Sequence, residues 1–194
     1  MTTNHHPVTD LRLHDHACWF YDSVDQQTAT AIAFIHEGLT RGERCIYIGL
    51  HHTPDEFRRL MELAGVDAAA HESRGAQLLL TKEETYLKDG PFSIERMMGQ
   101  IDAAIEQARA DGFTALRTCA DMSWVLDGTV PAEDIRRYEM ECDQRFSSSR
   151  LVGICLYDRR IISPEVFQCA MTTHPLVGTS EGVQRNPFYD VPET

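Results

Sequence analysis

Apolar positions along this chain switch repeatedly between two arrangements, short unbroken runs and helical spacing. ACWFYD (17–22) is a run of the first kind and predicts a strand. Residues 26–42 follow with Ala29, Ile32, Ala33 and Leu39 on one helical side, ending at Gly42. RCIYIGL (44–50) predicts a second strand. TPDEFRRLMELAG (53–65) predicts a helix with Thr53 as N-cap, Pro54 in the first helical position, Glu56 closing a capping box and Gly65 as the stop. AQLLLTK (76–82) is the third strand. Residues 93–112 form the longest predicted helix, with Ile94, Met97, Ile101, Ala104, Ile105 and Ala108 on one side. TALRTCADM (114–122) is the fourth strand, and residues 131–146 are a helix opened by Pro131 and two acids. LVGICLYD (151–158) is the fifth strand, and residues 163–174 form a helix capped by Ser163. The segment after it holds turn residues and room for one or two short strands.

Strands that are apolar on both faces, alternating with helices, must be covered on both sides. The expected fold is therefore α/β, three-layered, with a mainly parallel sheet. A single domain over 13–194 follows a flexible N-terminal tail, 1–12. Ligands of such sheets lie beyond the carboxyl ends of the strands. That directs attention to residues 21–24, 49–53, 81–86, 120–124 and 157–160.

Composition narrows the function classes. The chain has 194 residues, 42% hydrophobic and 25% charged, with a formal net charge of −12. So acidic a surface is a poor match for nucleic acid or an anionic membrane, because neither phosphate counterions nor lipid headgroups would be replaced by it. It serves solubility, or complements a basic protein partner. The six cysteines form no C-x-x-C pair, and Cys45, Cys119 and Cys155 sit within apolar runs. That usage suits buried free thiols of a cytoplasmic protein. The opening MTTNHHPVTD has neither the basic start nor the apolar core of a signal peptide.

The turn after the first strand carries a second exclusion. A phosphate-binding loop there needs glycines for close backbone approach, a Lys for the phosphate oxygens and a Ser/Thr for magnesium. YDSVDQQTAT has no Gly and no Lys, and it places Asp22 and Asp25 where a triphosphate would sit. ATP hydrolysis is not expected.

Six segments in order, HACWFY, GERCIYIG, RTCADMSWVL, YEMECDQRF, GICLYDRR and THPLVG with QRNPFY, resemble the MEDS sensory domain. The resemblance implies a KaiC/RecA-like layout with a degenerate phosphate loop and no enzymatic activity. It also implies a role in sensing small organic molecules of the hydrocarbon-derivative class. Such domains occur alone or joined to signalling modules. No output module is read in this sequence, so the signal is expected to leave through a partner: a histidine kinase, an anti-sigma-type regulator or a transcription factor. A homodimer stays open.

Eight residues are candidates for the ligand site: His16, Cys18, Tyr21, Asp121, Trp124, Glu139, Tyr157 and His174. On a strand His16 and Cys18 share one face and Tyr21 takes the other. His16 and Cys18 could hold a metal with His174, or could be a core thiol beside a hydrogen-bonded histidine. Asp121 falls where an ATPase would keep its metal-binding acid. Trp124 offers an apolar wall with one N–H donor, or simply closes the core. Glu139, if its helix face is buried, needs a partner, and His16 is one choice. Tyr157 alternates with Cys155 and could line the same pocket as Cys18. His174 precedes Pro175 and could instead cap its helix. His5–His6 lie in the tail, whereas His51–His52 are placed to line the cleft. No cofactor is assigned; zinc or haem held by His16, Cys18 and His174 is the alternative, as is a pure interaction module with a vestigial site.

Overall fold

The computed structural model describes residues 6–128 and 130–191. Seven strands, β1 (His16–Tyr21), β2 (Arg44–Ile48), β3 (Gln77–Leu80), β4 (Leu116–Asp121), β5 (Leu151–Asp158), β6 (Leu176–Thr179) and β7 (Gly182–Arg185), form one sheet in the order β3-β2-β4-β5-β1-β6-β7. All neighbours run parallel except the hairpin β6–β7. Every residue of β1 is buried, as a central parallel strand requires.

Six helices cover the sheet: α1 (Val24–Thr40), α2 (Pro54–Leu63), α3 (Ala68–Ser73), α4 (Ile94–Ala110), α5 (Ala132–Ser148) and α6 (Pro164–Thr173). The pleat of β1 splits the core in two. Ala17, Trp19 and Tyr21 pack with Phe34, Ile35 of α1 and Phe57, Met61 of α2. Cys18 and Phe20 face the opposite side, with Met97 of α4, Tyr138 and Phe146 of α5, and Val166 and Ala170 of α6. The predicted three-layer α/β architecture is what folds. Thr53 and Glu56 make the reciprocal capping box at α2, and Ser163 caps α6 by accepting from the Val166 amide.

Two local expectations change. Residues 6–12 are docked, not a loose tail. A 3-10 turn (Val8–Asp10) buries Val8, Leu11 is buried beside it, and Arg41 of α1 donates to the carbonyls of Thr9 and Leu11 at 2.7 and 2.6 Å. His6 bridges to Val183 of β7. One apolar turn is too short to show a period, so only its docking partners define it. His5 lies outside the described residues. The short helix α3 was not anticipated either; it buries a single residue, Ala68, so it too leaves no apolar stripe.

Candidate functional site

Beyond the carboxyl ends of β1 and β4, a polar knot replaces the phosphate cradle. Tyr21 ends β1 and Asp121 ends β4, on the α1–α2 side of the sheet. The Tyr21 hydroxyl donates to Asp121 Oδ2 at 3.1 Å and lies 2.8 Å from His51 Nε2 and 3.2 Å from Ser123 Oγ. Asp121 Oδ1 accepts from the Ser123 amide at 2.8 Å, and its other oxygen is 3.4 Å from His51 Nε2. Burial raises the Asp121 carboxyl above its ordinary range, and burial with the nearby Asp121 charge raises the Tyr21 phenol. His52 meets Thr28 Oγ1 at 3.0 Å. Both histidines of the 51–52 pair therefore line the strand ends, and each is engaged with a hydroxyl of β1 or α1.

The opposite face holds a cluster between β1, β5 and the helices α5 and α6, buried except for a partly exposed Cys155. His16, Glu139, Cys155 and His174 present ligand atoms that all lie within 4.8 Å of one another. Glu139 Oε2 is 3.8 Å from His16 Nε2, 3.6 Å from His174 Nε2 and 3.8 Å from Cys155 Sγ. Cys155 Sγ is 3.7 Å from His16 Nε2. The Tyr157 hydroxyl donates to the other oxygen of Glu139 at 2.9 Å. His16, Glu139 and His174 have no exposed surface. Burial raises the Glu139 carboxyl above its ordinary range. Burial pushes His174 well below the usual imidazole range.

Local sequence explains how each ring is held. Gly153, the β5 partner of His16 in register, lets Phe146 lie against the strand; a Cβ there would sit 2.6 Å from Phe146 Cζ. Phe146 then stacks on His16 with centroids 4.1 Å apart. His16 Nδ1 donates to Asp143 Oδ1 at 3.1 Å, and Asp143 accepts from the Tyr189 hydroxyl at 2.5 Å. His174 Nδ1 donates to the Ala170 carbonyl at 2.9 Å. Asn186 donates to the His174 carbonyl at 2.7 Å and to the Met171 carbonyl at 2.6 Å. The NPFY turn (186–189) thus fixes both histidines from outside.

Trp124 belongs to neither group. It lies in a 3-10 turn (Ser123–Asp127) after β4, stacked on Tyr86 at 4.4 Å and tilted against Phe92 at 5.0 Å. With Phe92, Leu87, Val130 and Pro131 it lines a cavity of about 430 Å³ whose polar groups are Lys82 and Asp134. The buried Trp124 Nε1–H has no acceptor among the described residues. A wider apolar groove of about 690 Å³ runs under α4, lined by Ile46, Ile48, Leu78, Leu80, Met97 and Ile101 among others.

The eight sequence candidates therefore divide three ways. His16, Glu139, Tyr157 and His174 meet; Tyr21 and Asp121 meet on the other face of the sheet; Trp124 stands at a separate cavity. Cys18 lies on the His16 face but its thiol turns to the Leu176 carbonyl of β6, 3.6 Å away, so Cys155 supplies the thiol beside His16. His174 does end α6, yet as a buried imidazole set against a buried carboxylate rather than a cationic cap. Asp143, Phe146, Ser123 and Phe92 are not among the eight. Asp143 lies one helical turn after Glu139, and that i,i+4 pair of acids was the only sequence signal available for it.

Comparisons with known proteins agree with this layout. A KaiC-like protein from the hyperthermophilic archaeon Pyrococcus horikoshii superposes with a TM-score of 0.65 at 13% sequence identity, covering 90% of this chain and 79% of that one. At that identity the likeness establishes the fold alone, a RecA-type sheet. The curated proteins contain no match. The family model of the methanogen/methylotroph, DcmR sensory domain matches residues 15–175. That span contains both buried polar clusters and Trp124, and the chain belongs to the MEDS family of sensory domains.

Proposed function

We propose that this sensory domain binds a small, largely apolar organic molecule in the cavity at Trp124, and relays its presence to a signalling protein. The observation that carries the reading is that cavity. It opens beyond the carboxyl ends of β3 and β4, where parallel sheets place their ligands. Its walls are the aromatic and aliphatic groups of Trp124, Phe92, Leu87 and Val130, and a buried indole N–H without an acceptor lies among them. Apolar walls with a few polar groups are what small-molecule sites require.

The role is binding, not catalysis. No glycine or lysine is available in the turn after β1, and the Tyr21–Asp121–His51–Ser123 knot ties up the polar groups at that strand end. The partner is a kinase, an anti-sigma-type regulator or a transcription factor, and the setting is the cytoplasm, in keeping with six free cysteines. No helix among the described residues is long and apolar enough to cross a membrane.

The test uses a Trp19→Phe background, which leaves Trp124 as the single tryptophan. Short alcohols, ketones, aldehydes and chlorinated alkanes are titrated while indole emission and Tm are followed. A saturable change in emission with a raised Tm is expected for at least one class, lost in Trp124→Phe. A flat response across the panel at millimolar concentration, with a signalling protein still captured, would leave an interaction module with a vestigial site.

A further inference from the structure

We infer that His16, Glu139, Cys155 and His174 form a closed binding site for one divalent transition-metal ion, best matched by zinc. The ligand set is the first argument. Two imidazoles, one thiolate and one carboxylate are the donor types zinc takes, and four of them complete a tetrahedron. The dication is balanced by one thiolate and one carboxylate, so the occupied site is neutral, as burial demands.

Geometry is the second. Zinc bonds of about 2.0–2.3 Å give a tetrahedron with edges of about 3.3–3.8 Å. Four of the six donor separations are 3.6, 3.7, 3.8 and 3.8 Å, and all six lie within 4.8 Å. The two between nitrogen and oxygen are too long for hydrogen bonds, the two at sulfur are thiol contacts, and all four match the edge lengths around a single ion. The space between donors that lie within 4.8 Å of one another suits an ion and not a porphyrin.

Tautomers are the third. His16 gives its Nδ1–H to Asp143 and His174 gives its Nδ1–H to the Ala170 carbonyl. Each neutral ring then turns an Nε2 lone pair toward Glu139. His174 Nε2 is fully buried and has no hydrogen-bond partner among the described residues. Two imidazole lone pairs converging on a carboxyl oxygen and a sulfur are the arrangement that a bound cation satisfies at once. A carboxylate on one ligating histidine and a backbone carbonyl on the other are the usual outer supports of a metal-bound imidazole. Binding releases the Cys155 thiol proton to solvent, and the partly exposed Cys155 marks the side from which an ion would enter.

The inference is independent of the organic ligand at Trp124. It is tested on protein expressed in minimal medium supplied with zinc or with cobalt(II), purified without chelator and analysed by metal content and visible absorption. About one equivalent per chain is expected, and the cobalt form should show tetrahedral d–d bands with a thiolate-to-cobalt band in the near ultraviolet. Cys155→Ser removes the thiolate band, and His174→Ala lowers retained metal at least tenfold. Cys18→Ser leaves both content and spectrum unchanged. Folded wild-type protein with well under a tenth of an equivalent from either medium would overturn the site, whatever the variants do. So would full metal retention in the Cys155→Ser, His174→Ala double variant. The Trp124 fluorescence titration reads a different cavity, so the two proposals fail separately.

Discussion

Asp158 closes β5 with its carboxylate buried and both oxygens engaged by Arg160. Oδ1 accepts from the Arg160 amide and Nε at 2.9 Å, and Oδ2 from Nη2 at 2.6 Å. These hydrogen bonds hold its carboxyl below the usual range. The folded pKa is therefore lower than the unfolded one, so the contribution is complete above about pH 4 and disappears as pH falls through the folded value. Asp158→Asn is expected to lose about 1 kcal/mol at pH 7, since the Arg160 end is half exposed, with the deficit shrinking as pH falls through the folded value; urea denaturation at pH 7 and at low pH checks it. The cysteines give a second residue-scale expectation. Burial raises the thiols of Cys18, Cys45, Cys119, Cys142 and Cys169, the last to about 12. In native protein at pH 8 these should resist iodoacetamide, and denatured protein should take up six equivalents by mass, because the thiolate is the reactive form. Rapid native labelling of any of these would contradict its placement.

At the scale of elements, α1 rests on the sheet through a glycine. A Cβ at Gly38 would collide with the Arg117 side chain and stand 2.7 Å from Cys45 Sγ. Arg117 is itself fully buried on β4, with its Nε on Glu43 at 2.5 Å and its guanidinium 4.3 Å above the Phe34 ring. Neither partner can move without exposing an unpaired charge. Gly38→Ala is expected to cost about 1–3 kcal/mol despite the better helix propensity of alanine, measured as a lowered urea midpoint with unchanged slope. Thr53→Ala, by contrast, removes one capping box on an exposed helix end and should cost about 1 kcal/mol. The larger loss at the smaller chemical change would show that α1–β4 contact, not local helix formation, holds this layer.

For the whole molecule, the topology and the turn after β1 act together. RecA-type order places β1 beside β5, with β4 next, so that Tyr21 and Asp121 meet across the strand ends. With Asp22 and Asp25 beside them and no lysine in the turn, magnesium-ATP at millimolar concentration is expected to leave Tm unchanged and to give no phosphate release. A raised Tm with nucleotide would overturn that exclusion. The same order brings β6 against β1, which carries His174 at the end of α6 over His16, with ring centroids 4.0 Å apart.

The one-dimensional pattern determined the layers, because short apolar runs bounded by turn signals fit strands buried on both faces and the caps at Thr53 and Ser163 are local chemistry. It determined the pleat as well: His16 and Cys18 on one side, Tyr21 on the other. It also disclosed the lost phosphate loop, since that function resides in adjacent residues. The partner of each polar side chain was decided only in three dimensions. Glu139, Cys155 and His174 reach His16 from α5, β5 and the end of α6, and sheet order alone makes them neighbours. Cys18 was the nearer thiol in sequence, yet its Sγ turns to the Leu176 carbonyl of β6, a choice fixed by which strand lies beside β1. Tyr189 and Asn186, in a turn that reads as a simple anchor, support both histidines because the β6–β7 hairpin returns the chain to α5 and α6. Periodicity assigns a residue to a face; the buried geometry of a polar cluster depends on strand order and register, which no local pattern encodes.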